Sequence, residues 1–133
     1  MIVYEVMTME QLRQLSAPSN WVGVVVDFYA DWCGPCQKLK PWFAQLAADP
    51  RYSDRVLFVK CNTDMLEDEM LNLYPVRALP TVLFLNRNLE IMDKVTGMNT
   101  EAIEVALNTM VELANTTTNN ATIIYNELCN SGY

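Results

Sequence analysis

The stretch VVVDFYADWCGPCQKL, residues 24 to 39, joins a hydrophobic strand pattern to two cysteines three residues apart. Residues 21 to 30 are a nearly continuous run of β-branched and aromatic side chains whose single charge is Asp27. This pattern is typical of a central strand covered on both faces. Cys33 and Cys36 follow at the start of a predicted helix over about 34 to 48. The stretch therefore predicts a buried strand that delivers two thiols to a helix N-terminus.

The flanking patterns predict an α/β fold with one sheet. Strands are predicted at 2–6, 55–62, 81–85 and 89–97, and helices at about 9–17, 65–73 and 101–114. Thr8, Asp64 and Thr100 are the predicted N-caps of these helices. Crossovers in the first half imply parallel strands, and the turn at 86–88 implies an antiparallel hairpin. We therefore expect a mixed central β-sheet flanked by helices on both faces, with a C-terminal tail.

The composition divides the chain into a domain and an extension. Residues 1–114 are predicted to form one domain, and residues 115–133 a polar linker and C-terminal extension that begins with NTTTNN. The extension is either a disordered tail or a short docked helix, since isolated short helices are marginally stable.

Charge and hydropathy disfavour several classes of function. The net charge is −7, and only nine Lys and Arg residues are present, scattered along the chain. Binding to nucleic acid or to an anionic membrane needs such residues in a cluster. The N-terminus has no basic region followed by an apolar run, and no segment reaches 18 consecutive apolar residues. We expect a cytoplasmic protein that binds neither nucleic acid nor membranes.

The cysteine count favours redox chemistry over a metal or a disulfide scaffold. Four cysteines are too few for a disulfide-built secreted domain. A zinc site needs four ligands, but the chain has no histidine, and Cys61 and Cys129 lie far from the pair. We therefore expect no metal site.

The CGPC spacing suits reversible disulfide exchange. Residues i and i+3 of a helix are close enough for a disulfide. At the N-cap, Cys33 would face the unpaired N–H groups and the positive end of the helix dipole, which favour its thiolate. Pro35 removes an N–H that has no helical partner, and Gly34 lets another chain approach. Cys33 is thus the predicted nucleophile and the deeper Cys36 the resolving thiol.

Asp27 is the predicted proton acceptor for Cys36. It lies in an apolar strand six residues before Cys33, and desolvation raises the pKa of a carboxyl toward neutrality. The alternative is a structural Asp27 satisfied by backbone groups or by a lysine. The neighbouring cysteines favour the catalytic role.

Four segments together resemble the thioredoxin family in order and spacing. They are VVVDFYADWCGPCQKLKP at 24–41, KCNTD at 60–64, VRALPTVLFL at 76–85 and KVTGM at 94–98. The resemblance covers about residues 1 to 113. It implies a thioredoxin fold, a redox-active disulfide between Cys33 and Cys36, no bound cofactor, and Lys60 as the neighbour of Asp27.

The resemblance also implies a substrate surface and partners. Pro80 matches the family's cis-proline, beside which the backbone of Leu79 would be free to pair with an extended substrate. The expected docking surface comprises Trp32, Gly34, Pro35, Leu79, Pro80, Gly97 and Met98. The implied partners are disulfide-containing proteins and an NADPH-dependent thioredoxin reductase, with the chain itself a monomer.

Three residues depart from the family pattern. Tyr29 stands where the family usually has tryptophan, and Cys61 is interpreted as a small buried hydrophobic residue. Cys129 lies in the extension, and we hypothesise that it forms a regulatory or intermolecular disulfide. The predicted function is a protein-disulfide reductase that serves electron transport and cell redox homeostasis. The alternative is a thioredoxin-fold binding module or chaperone subunit whose redox activity is incidental.

Overall fold

Strands and helices alternate along the computed structural model, which describes residues 2–18 and 20–130, and side-chain surroundings up to residue 115. The strands are β1 (Val3–Glu5), β2 (Gly23–Tyr29), β3 (Val56–Asn62), β4 (Thr81–Leu85) and β5 (Ile91–Thr96). The helices are α1 (Met9–Ser16), α2 (Gly34–Ala48), α3 (Asp68–Leu73) and α4 (Thr100–Asn130). Type and order agree with the sequence prediction for every element.

The five described strands form one mixed sheet in the order β1-β3-β2-β4-β5. The pairs β1–β3 and β2–β3 are parallel, whereas β4 runs antiparallel to both β2 and β5. The change of direction falls at β4, where the hairpin was predicted. β2 is consequently the central strand, and all seven of its residues are buried.

Alternation along β2 divides the core into two layers. Val24, Val26 and Phe28 pack on the face covered by α1 and α3. Val25 packs on the opposite face, which is covered by α2 and α4. Side chains two residues apart share a face of a strand, so Asp27 lies on the face covered by α2. This alternation directs the only charged side chain of β2 toward the helix that begins beside the cysteines.

The start of α1 confirms the predicted N-cap at Thr8, which forms a capping box with Gln11. The Thr8 hydroxyl accepts a hydrogen bond from the backbone N–H of Gln11 at 3.1 Å, and the Gln11 side chain accepts one from the backbone N–H of Thr8. Two N–H groups without helical partners are thereby satisfied.

The predicted start of α3 is wrong. The helix begins at Asp68 rather than near residue 65, and Asp64 does not cap it. Glu67, just before the helix, is held by α1 instead: its backbone N–H donates to the carbonyl of Met7, and its carboxylate accepts from the backbone N–H of Met9 at 2.6 Å. These tertiary bonds hold the segment before Asp68 outside the helix.

The ends of α4 also differ from the prediction. Asn99 rather than Thr100 provides the capping oxygen, which accepts from the backbone N–H of Ala102 at 3.1 Å. The helix continues past residue 114 to Asn130, and no glycine or proline interrupts that segment. Leu113, one turn beyond the buried Met110, is 51% exposed.

The boundary between domain and extension at residue 114 stays a prediction. The side chain of Cys129 and residues 131–133 lie outside the described residues. Among the residues that the structure describes, no helix is long and apolar enough to span a bilayer.

Close packing at the start of β2 leads to a stability prediction. A Cβ added at Gly23 would lie 2.5 Å from Met110 Sδ and 2.8 Å from the carbonyl oxygen of Leu85. Because that oxygen belongs to the backbone, Gly23→Ala should lower the free energy of unfolding by about 1 to 3 kcal/mol. Denaturant unfolding of the oxidised protein measures this.

Gly34→Ala is the matched control, since a Cβ there meets nothing within 4 Å. It should change stability by no more than about 0.5 kcal/mol. Equal stability of the two variants would contradict the packing argument.

Candidate active site

The two cysteines lie at the N-terminus of α2, as predicted. Cys33 is the N-cap, with φ −87° and ψ 111°, and its Sγ accepts from the backbone N–H of Cys36 at 3.3 Å. A disulfide joins Cys33 to Cys36, with their Cα atoms 5.3 Å apart. This separation is normal for disulfides, so the pair closes within one helical turn.

The first turn of α2 covers one sulfur more than the other. Cys36 is 2% exposed and Cys33 is 7% exposed, while Gly34 and Pro35 between them are exposed. Below the disulfide lie Tyr29 and Ala30, and Leu79 packs against the group. An incoming sulfur therefore meets Cys33 before Cys36.

Asp27 is buried next to Cys36 without a bonding partner. The two residues line the same small cavity, whose volume of about 10 Å³ is close to the space that one water molecule needs. Asp27 is 4% exposed, and its Oδ1 has no hydrogen bond. Burial raises the pKa of Asp27 from 3.8 to about 7, and the positive charge of Lys60 opposes this rise. The alternative of a carboxylate satisfied by backbone groups is not what the structure shows.

Lys60 neighbours Asp27 but pairs with another carboxylate. The two residues are register partners on β2 and β3, and both line the cavity. The Nζ of Lys60 lies 3.5 Å from Oε2 of Glu5, and Oε1 of Glu5 accepts a hydrogen bond from the hydroxyl of Tyr29 at 2.9 Å. Among the described residues, no ion pair joins Lys60 to Asp27.

Sequence reasoning missed Glu5. The alternation of residues 2–6 marks it only as the polar position of a half-buried strand. Its place beside Lys60 follows from the parallel register of β1 and β3, in which the two residues are partners. Only a correct strand order and register would have revealed the contact.

An open groove runs beside Cys33. It has a volume of about 320 Å³, and Trp32, Cys33 and Leu79 are among its lining residues. Trp32 is 73% exposed, and its indole N–H donates to Asp64 Oδ2 at 3.0 Å. The carboxylate predicted to cap α3 therefore orients the tryptophan.

The cis bond and the loop at Gly97 meet at one end of the β4–β5 pair. The Leu79–Pro80 peptide bond is cis, as the family resemblance implied. The backbone N–H of Gly97 donates to the carbonyl of Pro80 at 2.8 Å, and Gly97 has a φ of +86°, which favours glycine. Met98 follows and is 43% exposed. Of these residues, Leu79 lines the groove.

The remaining described cysteine is separate from this site. Cys61 is fully buried on the face covered by α1 and α3, and burial raises the pKa of its thiol. This agrees with its interpretation as a small buried hydrophobe. In the described part of the chain, no group of three or more His, Cys, Asp or Glu residues is placed to hold a metal ion.

Comparisons with known proteins agree with this geometry. The sequence model of the thioredoxin family matches residues 7–109. Thioredoxin H1 of Arabidopsis thaliana is 41% identical over 95 residues, covering 71% of this chain and 77% of the plant protein. Thioredoxin-T of Drosophila melanogaster is 36% identical over 102 residues, covering 77% of this chain.

The chain spans 62% of the length of the fly protein. Among solved structures, Malassezia sympodialis thioredoxin superposes with a TM-score of 0.72 at 28% identity, over 82% of this chain and 90% of that one. The family model, the relatives and the fold agree, and the chain belongs to the thioredoxin family.

Proposed function

We propose that the chain reduces protein disulfides by thiol–disulfide exchange. The observation that carries this proposal is the Cys33–Cys36 disulfide at the N-terminus of α2, beside a buried and unpaired Asp27. A binding module would need neither a closable cysteine pair nor a buried carboxylate beside it. Membership in a family of thiol–disulfide oxidoreductases supports the same activity.

The reaction begins from the dithiol form. The thiolate of Cys33 attacks one sulfur of the substrate disulfide, which forms a mixed disulfide and releases the first substrate thiolate. Cys36 then loses its proton and attacks the Sγ of Cys33. The second substrate thiolate leaves, and the protein retains the Cys33–Cys36 disulfide. Two electrons from an external donor restore the dithiol.

Asp27 takes the proton of Cys36 in this scheme. Its pKa of about 7 suits a general base that works near neutral pH. The shared cavity gives the proton a path through about one water molecule. Lys60, which lines the same cavity, stabilises the carboxylate of Asp27 whenever Asp27 is deprotonated.

The proposed docking surface lies around Cys33; Trp32 and Met98 are exposed in it, whereas Pro80 is buried. The surface comprises Trp32, Gly34, Pro35, Leu79, Pro80, Gly97 and Met98. A protein that presents its disulfide in an extended segment would pair with the backbone of Leu79 as an added strand. The proposed electron donor is an NADPH-dependent thioredoxin reductase.

The central test is reduction of insulin disulfides by NADPH and a thioredoxin reductase. The unchanged chain should turn over, Cys33→Ser should be inactive, and Cys36→Ser should accumulate a mixed disulfide with insulin. Asp27→Asn should slow turnover by about 10-fold or more, since a positioned base is lost.

Two outcomes would change the proposal. If the pre-reduced protein does not cleave insulin disulfides, the reductase function is wrong. If it cleaves them but the reductase does not recycle it, the chemistry stands and the proposed electron donor is wrong.

The buried carboxyl makes stability depend on pH. The folded protein keeps the proton on Asp27 up to about pH 7, whereas the unfolded chain releases it near 3.8, so unfolding releases a proton between these values. The free energy of unfolding should therefore fall as the pH rises through this window, by on the order of a few kcal/mol, and level off above it.

Urea unfolding of the oxidised protein from pH 4 to 9 measures this effect. In the Asp27→Asn variant, the free energy of unfolding should no longer fall with pH in this way. At pH 9 this variant should be more stable than the unchanged chain. Asp54→Asn, which removes an exposed carboxylate, is the matched control and should keep the decrease. The same pH dependence in the Asp27 and Asp54 variants would contradict a raised pKa at Asp27.

The groove predicts a role for Trp32 in docking. Trp32→Ala should raise the KM for insulin several-fold and affect kcat less, because the side chain lines the groove but takes no part in the proposed sulfur or proton transfers. Leu73→Ala removes an apolar side chain that is 49% exposed outside the groove and is the control. A proportional loss of kcat with unchanged KM would argue against docking at Trp32.

A further inference from the structure

Three charged side chains form one row across the sheet. Glu5 on β1 is the register partner of Lys60 on β3, and Lys60 is the register partner of Asp27 on β2. Partners in register project from the same face, and neighbouring strands are about 4.8 Å apart. Glu5 and Asp27 therefore flank Lys60 on opposite sides, so two carboxylates compete for one ammonium.

Desolvation favours the pair on the outer strand. The Glu5 side chain is 39% exposed and that of Lys60 is 25% exposed, whereas Asp27 is 4% exposed. An ion pair costs less desolvation where water still reaches both charges. This agrees with the observed contact of Lys60 with Glu5 at 3.5 Å.

Tyr29 holds Glu5 in this position. Its hydroxyl donates to the carboxylate oxygen of Glu5 that is not paired with Lys60. Burial, followed by the bond to Glu5, raises the pKa of Tyr29, so the hydroxyl stays a donor at neutral pH. Where the family usually has tryptophan, this chain therefore has a group that fixes Glu5.

We propose that Glu5, held by Tyr29, is a positioning residue that keeps the ammonium of Lys60 paired away from Asp27, so that Asp27 remains free to accept the proton of Cys36. This inference rests on the proposed reductase mechanism. It adds two residues that act through Lys60, one of which, Tyr29, also packs against the cysteine pair.

The direction of the effect follows from charge. Without the carboxylate of Glu5, Lys60 is free to turn toward Asp27, and a closer positive charge lowers the pKa of a carboxyl. Loss of the negative charge of Glu5 also lowers the pKa of Asp27 directly. Besides Lys60, α2 contributes Lys40 and Cys36 to the cavity, β2 contributes Tyr29, and the partner of Asp27 on β4 is the uncharged Val82.

The test is a titration of the Asp27 carboxyl by ¹³C NMR in the oxidised protein, where the two thiols do not titrate. Glu5→Gln should lower the pKa of Asp27 by about 0.5 to 1, and Tyr29→Phe by less. Lys60→Met should raise it. In the Lys60→Met background, Glu5→Gln should lower the pKa of Asp27 by less than half as much, because only the direct effect of the Glu5 charge remains.

Glu69→Gln is the matched control. It removes one carboxylate from an ion pair with Arg13 on the other side of the protein, and should leave the pKa of Asp27 unchanged. The proposal fails if Glu5→Gln has no effect on Asp27, if Glu69→Gln has the same effect, or if Glu5→Gln acts equally without Lys60.

This titration is independent of insulin reduction. A failed reductase assay would leave the measured coupling intact, and an absent coupling would leave the reductase mechanism intact. Urea unfolding of each variant separates loss of positioning from loss of the fold, and Tyr29→Phe serves as the second variant if Glu5→Gln is unstable.

Discussion

Alternation of side chains along the central strand is the constraint on which the site depends. β2 is buried along its whole length, so each residue must enter one of two helical layers. Phe28 enters the layer of α1 and α3, while Asp27 faces the layer of α2. A shift of one residue would move the carboxylate to the opposite face, away from Cys36. The hydrophobic pattern that specifies the fold therefore also fixes the position of the proposed base.

Burial of Asp27 lowers the stability of the fold but suits the proposed proton transfer. A carboxyl that is buried without a hydrogen bond at Oδ1 destabilises the folded state at any pH where it is ionised. The same desolvation brings the pKa of Asp27 to about 7, a value that suits the proposed role of general base near neutral pH. Because Lys60 is paired with Glu5, its positive charge offsets less of the desolvation of Asp27.

Most of the fold could be predicted because its signals are local. The β-branched run of β2, the capping box at Thr8 and the turn before β5 each act over a few residues. The error at the start of α3 arose because side chains there bond to a distant element instead. Glu67 bonds to the start of α1 and Asp64 to Trp32, so neither follows the local capping pattern.

The sequence by itself determined the element order, the two thiols at the start of α2 and a carboxyl in the strand before them. These depend on residue type and on short-range periodicity. Only the tertiary structure decided which charges meet. Glu5 and Lys60 are more than fifty residues apart in the chain and become neighbours through the parallel register of β1 and β3. Because electrostatic interaction depends on distance in space, the partner of Lys60 could be identified only once the strands had been aligned.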